Sequence, residues 1–206
     1  MLNEQLFSLY QSFLPNLSKM YQYLGDKEIT DYAGPLLLHC WEEEYLKSKN
    51  KLMIFGQETN GWFKTPIRTT NDIKENIELY RDFKLGEYYN SLFWLYAHEI
   101  NLMINGEDNL NFIWNNVNKF SKKGIGRPHP NVLKNEIEQF NVIPKEIEIL
   151  KPDVCIFVSG PDYDSDLQRK FPDLRIEPFE DYPINEAATL VSSCLPAKSF
   201  RTYHPG

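Results

Sequence analysis

The chain has 206 residues, with 42% hydrophobic and 14% aromatic side chains and a formal net charge of −7. Such a length fits one domain, and the apolar content suffices for a packed core, which excludes an intrinsically disordered chain. There is no basic-then-apolar leader, no apolar run near the ~18 residues of a membrane span, and no overall basic balance of the kind that marks nucleic-acid binders. A single cytoplasmic domain over residues 1–206 is expected, its first 50 residues forming a helical part.

In chain order, residues 1–24 read as helical with Pro15 breaking or kinking the run, and residues 33–49 as a second helix with Leu36, Leu37, Cys40, Trp41 and Leu46 on its apolar side. Lys51 to Gly56 is a short apolar run stopped by glycine, the pattern of a buried parallel strand. Residues 72–82 and 87–104 read as helices and residues 110–114 as a second strand. Helical spacing returns over 132–150, interrupted at Pro144. A third strand spans 153–158, a short helix 162–170 and a fourth strand 189–194. Strands alternating with helices predict a three-layer α/β/α fold around a mostly parallel, four-stranded sheet. Cys40, Cys155 and Cys194 stand apart among apolar neighbours, so buried free thiols are expected and no metal or cofactor.

In open parallel sheets, binding groups collect beyond the carboxyl ends of the strands. Residues 59–71 carry Lys64 and Arg68 without an acid; residues 115–131 carry Lys119, Lys122, Lys123 and Arg127 without one; residues 192–206 carry Lys198 and Arg201 without one. All three segments follow predicted strands, which predicts a positive edge on an acidic body, suited to an anionic ligand. The loop with Asp162, Asp164 and Asp166 runs against this trend.

The same segments hold the candidate chemistry. Gly56-Gln57-Glu58 ends the first strand: a glycine that permits close approach, an amide, and a lone carboxylate, followed by Trp62 and Phe63. Asn115 and Asn116 end the second strand, where amides could read the edge of a base, although asparagine is also an ordinary turn former. Tyr203-His204-Pro205 places an imidazole after an extended segment. No phosphate-binding loop, dinucleotide fingerprint, zinc pattern or nucleophile elbow occurs.

Taken in this order, the segments resemble the uracil-DNA glycosylase superfamily. In that family an apolar strand ends in a Gly-Gln-Asp-Pro-Tyr-His type motif, a later strand ends in asparagine, a third runs Pro-x-Val-apolar into glycine, and a last segment carries His-Pro-Ser. Gly56-Gln57-Glu58, Asn115-Asn116, Pro152-Asp153-Val154 through Gly160, and Tyr203-His204-Pro205 stand in those places, so the resemblance covers roughly residues 50–206. It implies hydrolysis of the N-glycosidic bond of a flipped nucleotide carrying uracil or a damaged base. The partner would be DNA, single-stranded DNA being the cheapest to unstack, or a nucleotide. It further implies Glu58 and His204 as catalytic groups and Gly56, Gln57, Trp62, Phe63, Asn115 and Asn116 as base-pocket residues. Lys119, Lys122, Lys123, Arg127 and Arg201 would hold phosphates.

The sequence also departs from that pattern. Glu58 stands for aspartate, Thr59-Asn60-Gly61 for Pro-Tyr-His, and Gly206 for serine, and no counterpart of the family's DNA-wedging loop is expected. A misplacement of ~1 Å can cost ~10²-fold in rate. A non-catalytic nucleic-acid or nucleotide-binding module on the same fold is therefore the alternative expectation.

Overall fold

The computed structural model describes residues 1–87 and 90–205; the two tyrosines near the start of the expected 87–104 helix lie outside the described residues, as does Gly206. Four strands run parallel: β1 (Leu52–Gly56), β2 (Phe112–Asn116), β3 (Val154–Val158) and β6 (Lys198–Thr202). Two more, β4 (Arg175–Pro178) and β5 (Ala187–Val191), extend the sheet antiparallel, giving the order β2-β1-β3-β6-β5-β4. The expected four-stranded sheet is thus a six-stranded mixed sheet. The segment expected as its fourth strand is the antiparallel β5, and the fourth parallel strand is β6, expected as a basic loop.

Hydropathy misses β6 because its inward side chains are Ser199 and Arg201, both buried, while Lys198 is exposed. It misses β4 because that edge strand buries none of its residues fully and ends in Pro178, which an edge tolerates. The β1 strand is the opposite case: Leu52 to Phe55 are all fully buried, as in a strand covered on both faces. At its end the Phe55 ring stacks on Phe157 of β3, with centroids 4.2 Å apart, a contact of about 0.5–1.5 kcal/mol beyond the area it buries.

The helices are α1 (Leu2–Ser12), α2 (Leu14–Asp26), α3 (Glu42–Lys47), α4 (Thr70–Phe83), α5 (Leu92–Asn105), α6 (Pro130–Phe140), α7 (Ile143–Leu150) and α8 (Asp164–Lys170). Pro15 divides the first two by taking a first-turn position in α2, where its missing N–H costs nothing, and Pro144 does the same in α7. Thr69 and Asp72 start α4 with a reciprocal cap, Asp72 N donating to Thr69 Oγ1 and Thr69 N to Asp72 Oδ2.

The expected helix over 33–49 is wrong for most of its length: residues 33–41 are not helical, and only α3 is. Leu36, Leu37 and Leu38 are consecutive and all fully buried, which no single helix face can achieve. Their backbone pairs outward instead, Ala33 with Ser121 in both directions and Leu36 N with the Lys119 carbonyl.

Neighbouring side chains of a strand point to opposite faces, and β2 shows what covers each. Asn115 reaches Glu146 of α7, which also meets Tyr10 of α1. Trp114 packs against Tyr80 of α4 and Trp94 of α5. The parallel part of the sheet is thereby sandwiched, and its carboxyl edge is where Gly56, Asn116 and Val158 end. Among the described residues no helix is long and apolar enough to cross a membrane.

Candidate functional site at the carboxyl edge of the sheet

The centre of this edge is Gly56, in register with Asn116. A Cβ at position 56 would fall 2.6 Å from Asn116 Oδ1 and 3.0 Å from the Phe93 ring, so only glycine lets these groups close in. Asn116 is 1% exposed. Its Oδ1 accepts from Trp114 Nε1 at 3.2 Å. Indole is a donor only, so this bond decides the amide's orientation and turns Nδ2 away from it. Among the described residues that buried Nδ2 has no hydrogen-bond partner. The Phe93 ring is nearly parallel to His204, at 12° and 5.8 Å between centroids. Gly56, Asn116, Phe93 and His204 therefore meet at one place, brought together by β1, β2, α5 and the segment after β6.

Beside it lies a second cluster. Tyr163, in the 3-10 turn Pro161–Tyr163, donates its hydroxyl to Glu58 Oε2 at 2.6 Å. Burial raises the Glu58 carboxyl above its ordinary value, and hydrogen bonds from Tyr163 and Asn118 and the charge of Arg127 oppose that rise. Burial and the Glu58 carboxylate together push the Tyr163 hydroxyl far up, so it stays a donor. The Arg127 guanidinium lies 4.7 Å over the Tyr163 ring and pairs with the buried Asp166, which also accepts from Asn118 Nδ2 at 3.4 Å. Gln57 Nε2 donates to the Ser159 carbonyl at 2.8 Å, while the buried Ser159 hydroxyl has no partner among the described residues. In chemical terms the edge offers a carboxylate held by a phenol, two unpaired polar groups and a pair of flat rings.

Other expected residues lie elsewhere. Asn115 points into the protein: its Nδ2 donates to Glu146 Oε2 at 2.9 Å and its Oδ1 accepts from Lys119 Nζ at 2.8 Å. Lys119 is fully buried and pairs with Glu146 at 2.8 Å, and burial lowers its ammonium's pKa despite that partner. Arg201 is also buried, bonded to Asp164 and the carbonyls of Ile184 and Asn185. Neither Lys119 nor Arg201 can reach a phosphate in solution, and Lys198 opens β6 at the opposite, amino edge. The basic rim shrinks to Lys64, Arg68, Lys122 and Lys123, with Arg127 engaged by Asp166 and half-buried.

Trp62 belongs to an aromatic cluster, edge-on to Trp114 and Phe83 and donating to Asn76 Oδ1 at 3.4 Å, and Phe63 packs on the core with a positive φ of 36°. The loop between them and Glu58 is tied down: Thr59 bonds Ser121, and a Cβ on Gly61 would strike the Lys123 carbonyl at 2.3 Å. Cys40 and Cys155 are buried as expected, Cys40 with its thiol pushed up to about 12, but Cys194 is exposed.

Sequence reasoning misses Phe93, Trp114, Asn118 and Tyr163. Asn118 stands in the asparagine-rich run after β2 and Tyr163 beside the acidic loop, but Phe93 is hidden in an apolar helix and Trp114 in an apolar strand. No family model matches the chain, and no curated protein or solved structure matches it either.

Proposed function

We propose that this protein hydrolyses the N-glycosidic bond of a flipped or unpaired nucleotide, as its resemblance to the uracil-DNA glycosylase superfamily implies. The observation that carries the reading is the Nδ2 of Asn116, buried at the sheet edge without a hydrogen-bond partner among the described residues, on an amide whose Oδ1 packs against Gly56. A buried amide donor without an acceptor costs about 1–3 kcal/mol, which a bound carbonyl or ring nitrogen would recover. Phe93 and His204 supply flat faces of the kind on which a base stacks.

In the reaction the C1′–N bond breaks and its electron pair leaves with the base. Water adds to C1′, and its proton passes by way of Glu58 toward the departing base. Glu58 orients that water and stabilises the positive charge on the sugar, and His204 donates to the base oxyanion. Lys122 and Lys123 hold the backbone. With so few exposed cations at the edge, a single strand or a free nucleotide is a better substrate than a duplex.

The second reading, a binding module without catalysis, is favoured by the engagement of Glu58 with Tyr163 and by the altered motif around it. A fluorescent single-stranded oligonucleotide containing uracil separates the two. An abasic product from the wild type that disappears in Glu58→Gln supports hydrolysis. Binding without product supports the module, and absence of both product and binding overturns the assignment.

A further inference from the structure

The resemblance assigns Arg127 to a phosphate, yet the residue is bound to Asp166 and laid over Tyr163. Tyr163 in turn makes a short hydrogen bond to Glu58, 105 residues away in the chain. These contacts form one connected set: Asp166 fixes Arg127, Arg127 covers the Tyr163 ring, and the Tyr163 hydroxyl meets Oε2 of Glu58. Asn118, whose backbone N donates to the Gln57 carbonyl at 2.9 Å, closes the set from the end of β2 by bonding Asp166 and Glu58 through its side chain.

We infer that Tyr163 is the positioning residue of Glu58, and that Arg127 with Asp166 serves Tyr163 rather than a nucleic-acid backbone. The inference deepens the proposed reaction and rests on it for its catalytic meaning. A glutamate at this position has one more rotatable bond than the aspartate of the related motif, so its carboxylate needs an additional anchor to hold one position. A phenol is suited to this, because a hydrogen bond to a charged acceptor is directional and about twice as strong as a neutral one. Tyr163 lies in a turn joined directly to α8, whose Asp166 and Lys170 are both buried and paired.

The charged and titratable groups that face Glu58 are Tyr163, Arg127 and Asp166. Tyr163 and Arg127 favour the ionised carboxylate, so removing either moves the Glu58 titration upward.

The test is a carbon-13 NMR titration of glutamate side chains in the full chain, with Glu58 assigned by its disappearance in Glu58→Gln. Tyr163→Phe keeps the ring under Arg127 and removes only the hydroxyl; Arg127→Gln removes the guanidinium while Arg169 still pairs with the buried Asp166 at 3.3 Å. The expected result is an upward move of the Glu58 midpoint in both variants and none in Lys122→Ser. An unchanged midpoint in both overturns the inference.

A second readout is the pH profile of kcat on the uracil oligonucleotide. Tyr163→Phe should shift the acidic limb upward and lower the plateau about 10–100-fold, the loss of one charged hydrogen bond, with KM unchanged. A limb that stays in place while the Glu58 midpoint moves also overturns the positioning role. If the wild type yields no product but the midpoints move as stated, the hydrolase reading fails and the anchoring of Glu58 by Tyr163 stands.

Discussion

The indole N–H of Trp114 donates to Oδ1 of Asn116, two residues along the same strand face, across 3.2 Å. Through this bond an aromatic residue of the core decides which atom Asn116 presents at the sheet edge. Tyr80 holds Trp114 in turn, its hydroxyl accepting from Trp114 N at 3.0 Å and donating to the Trp114 carbonyl at 2.7 Å.

Replacing Trp114 by phenylalanine keeps an aromatic ring and removes the donor. The Asn116 amide then turns freely, and discrimination between uracil, which presents a carbonyl, and cytosine, which presents an amine, falls by about 1–2 kcal/mol, or roughly 5–30-fold. Competition binding with the two oligonucleotides measures the ratio; an undiminished preference for uracil contradicts the role given to Trp114.

Gly56→Ala tests the close packing of Asn116 and Phe93 at the sheet edge. Its Cβ would collide with Asn116 Oδ1 and the Phe93 ring. Overpacking of this kind costs about 1–3 kcal/mol of stability, seen in urea denaturation, and ligand binding should fall more than tenfold because Asn116 and Phe93 are pushed out of place. Binding at wild-type strength would place the ligand elsewhere.

Lys119 and Lys122 give opposite signatures. Lys119→Ala strands the Glu146 carboxylate in the interior and should destabilise the protein by about 3–5 kcal/mol. Lys122→Ser together with Lys123→Ser should leave stability nearly unchanged, while the salt dependence of single-strand binding flattens by about 0.7 for each phosphate that is no longer neutralised. A salt slope untouched by the double substitution removes both lysines from the interface.

The Glu58 carboxyl also links stability to pH. Its folded pKa lies above the ordinary value of 4.5 because burial disfavours the charge. Its stabilising contribution is therefore complete below the unfolded pKa and is lost as pH rises through the folded one. Glu58→Gln removes that loss, so the variant should gain stability relative to the wild type as pH rises from about 4.5 toward neutrality. Denaturation curves at pH 4 and pH 7 compare the two proteins; an equal difference at both pH values contradicts the desolvated carboxylate.

Several features are legible in the chain alone. The apolar runs of β1, β2 and β3 are short because both of their faces are covered; glycine ends β1, asparagine ends β2, and Gly160 follows the end of β3 by two residues. Pro15 and Pro144 mark helix starts because a missing N–H is harmless only there. The α/β class and the carboxyl edge follow from these signals, and with them the place of Gly56, Glu58 and Asn116.

The remainder depends on interactions between residues far apart in the chain. Hydropathy reads lysine and arginine as surface, yet Lys119 and Arg201 are buried because Glu146 and Asp164, distant in sequence, neutralise them. Asn115 and Asn116 are equivalent in sequence, and only strand alternation sends one inward and the other beside Gly56. Glu58 is visible in the sequence as the single carboxylate after β1. Its anchor, Tyr163, is decided only by the folding of the β3 edge against the β1 edge, since a hydrogen bond between two loops leaves no periodic trace in either.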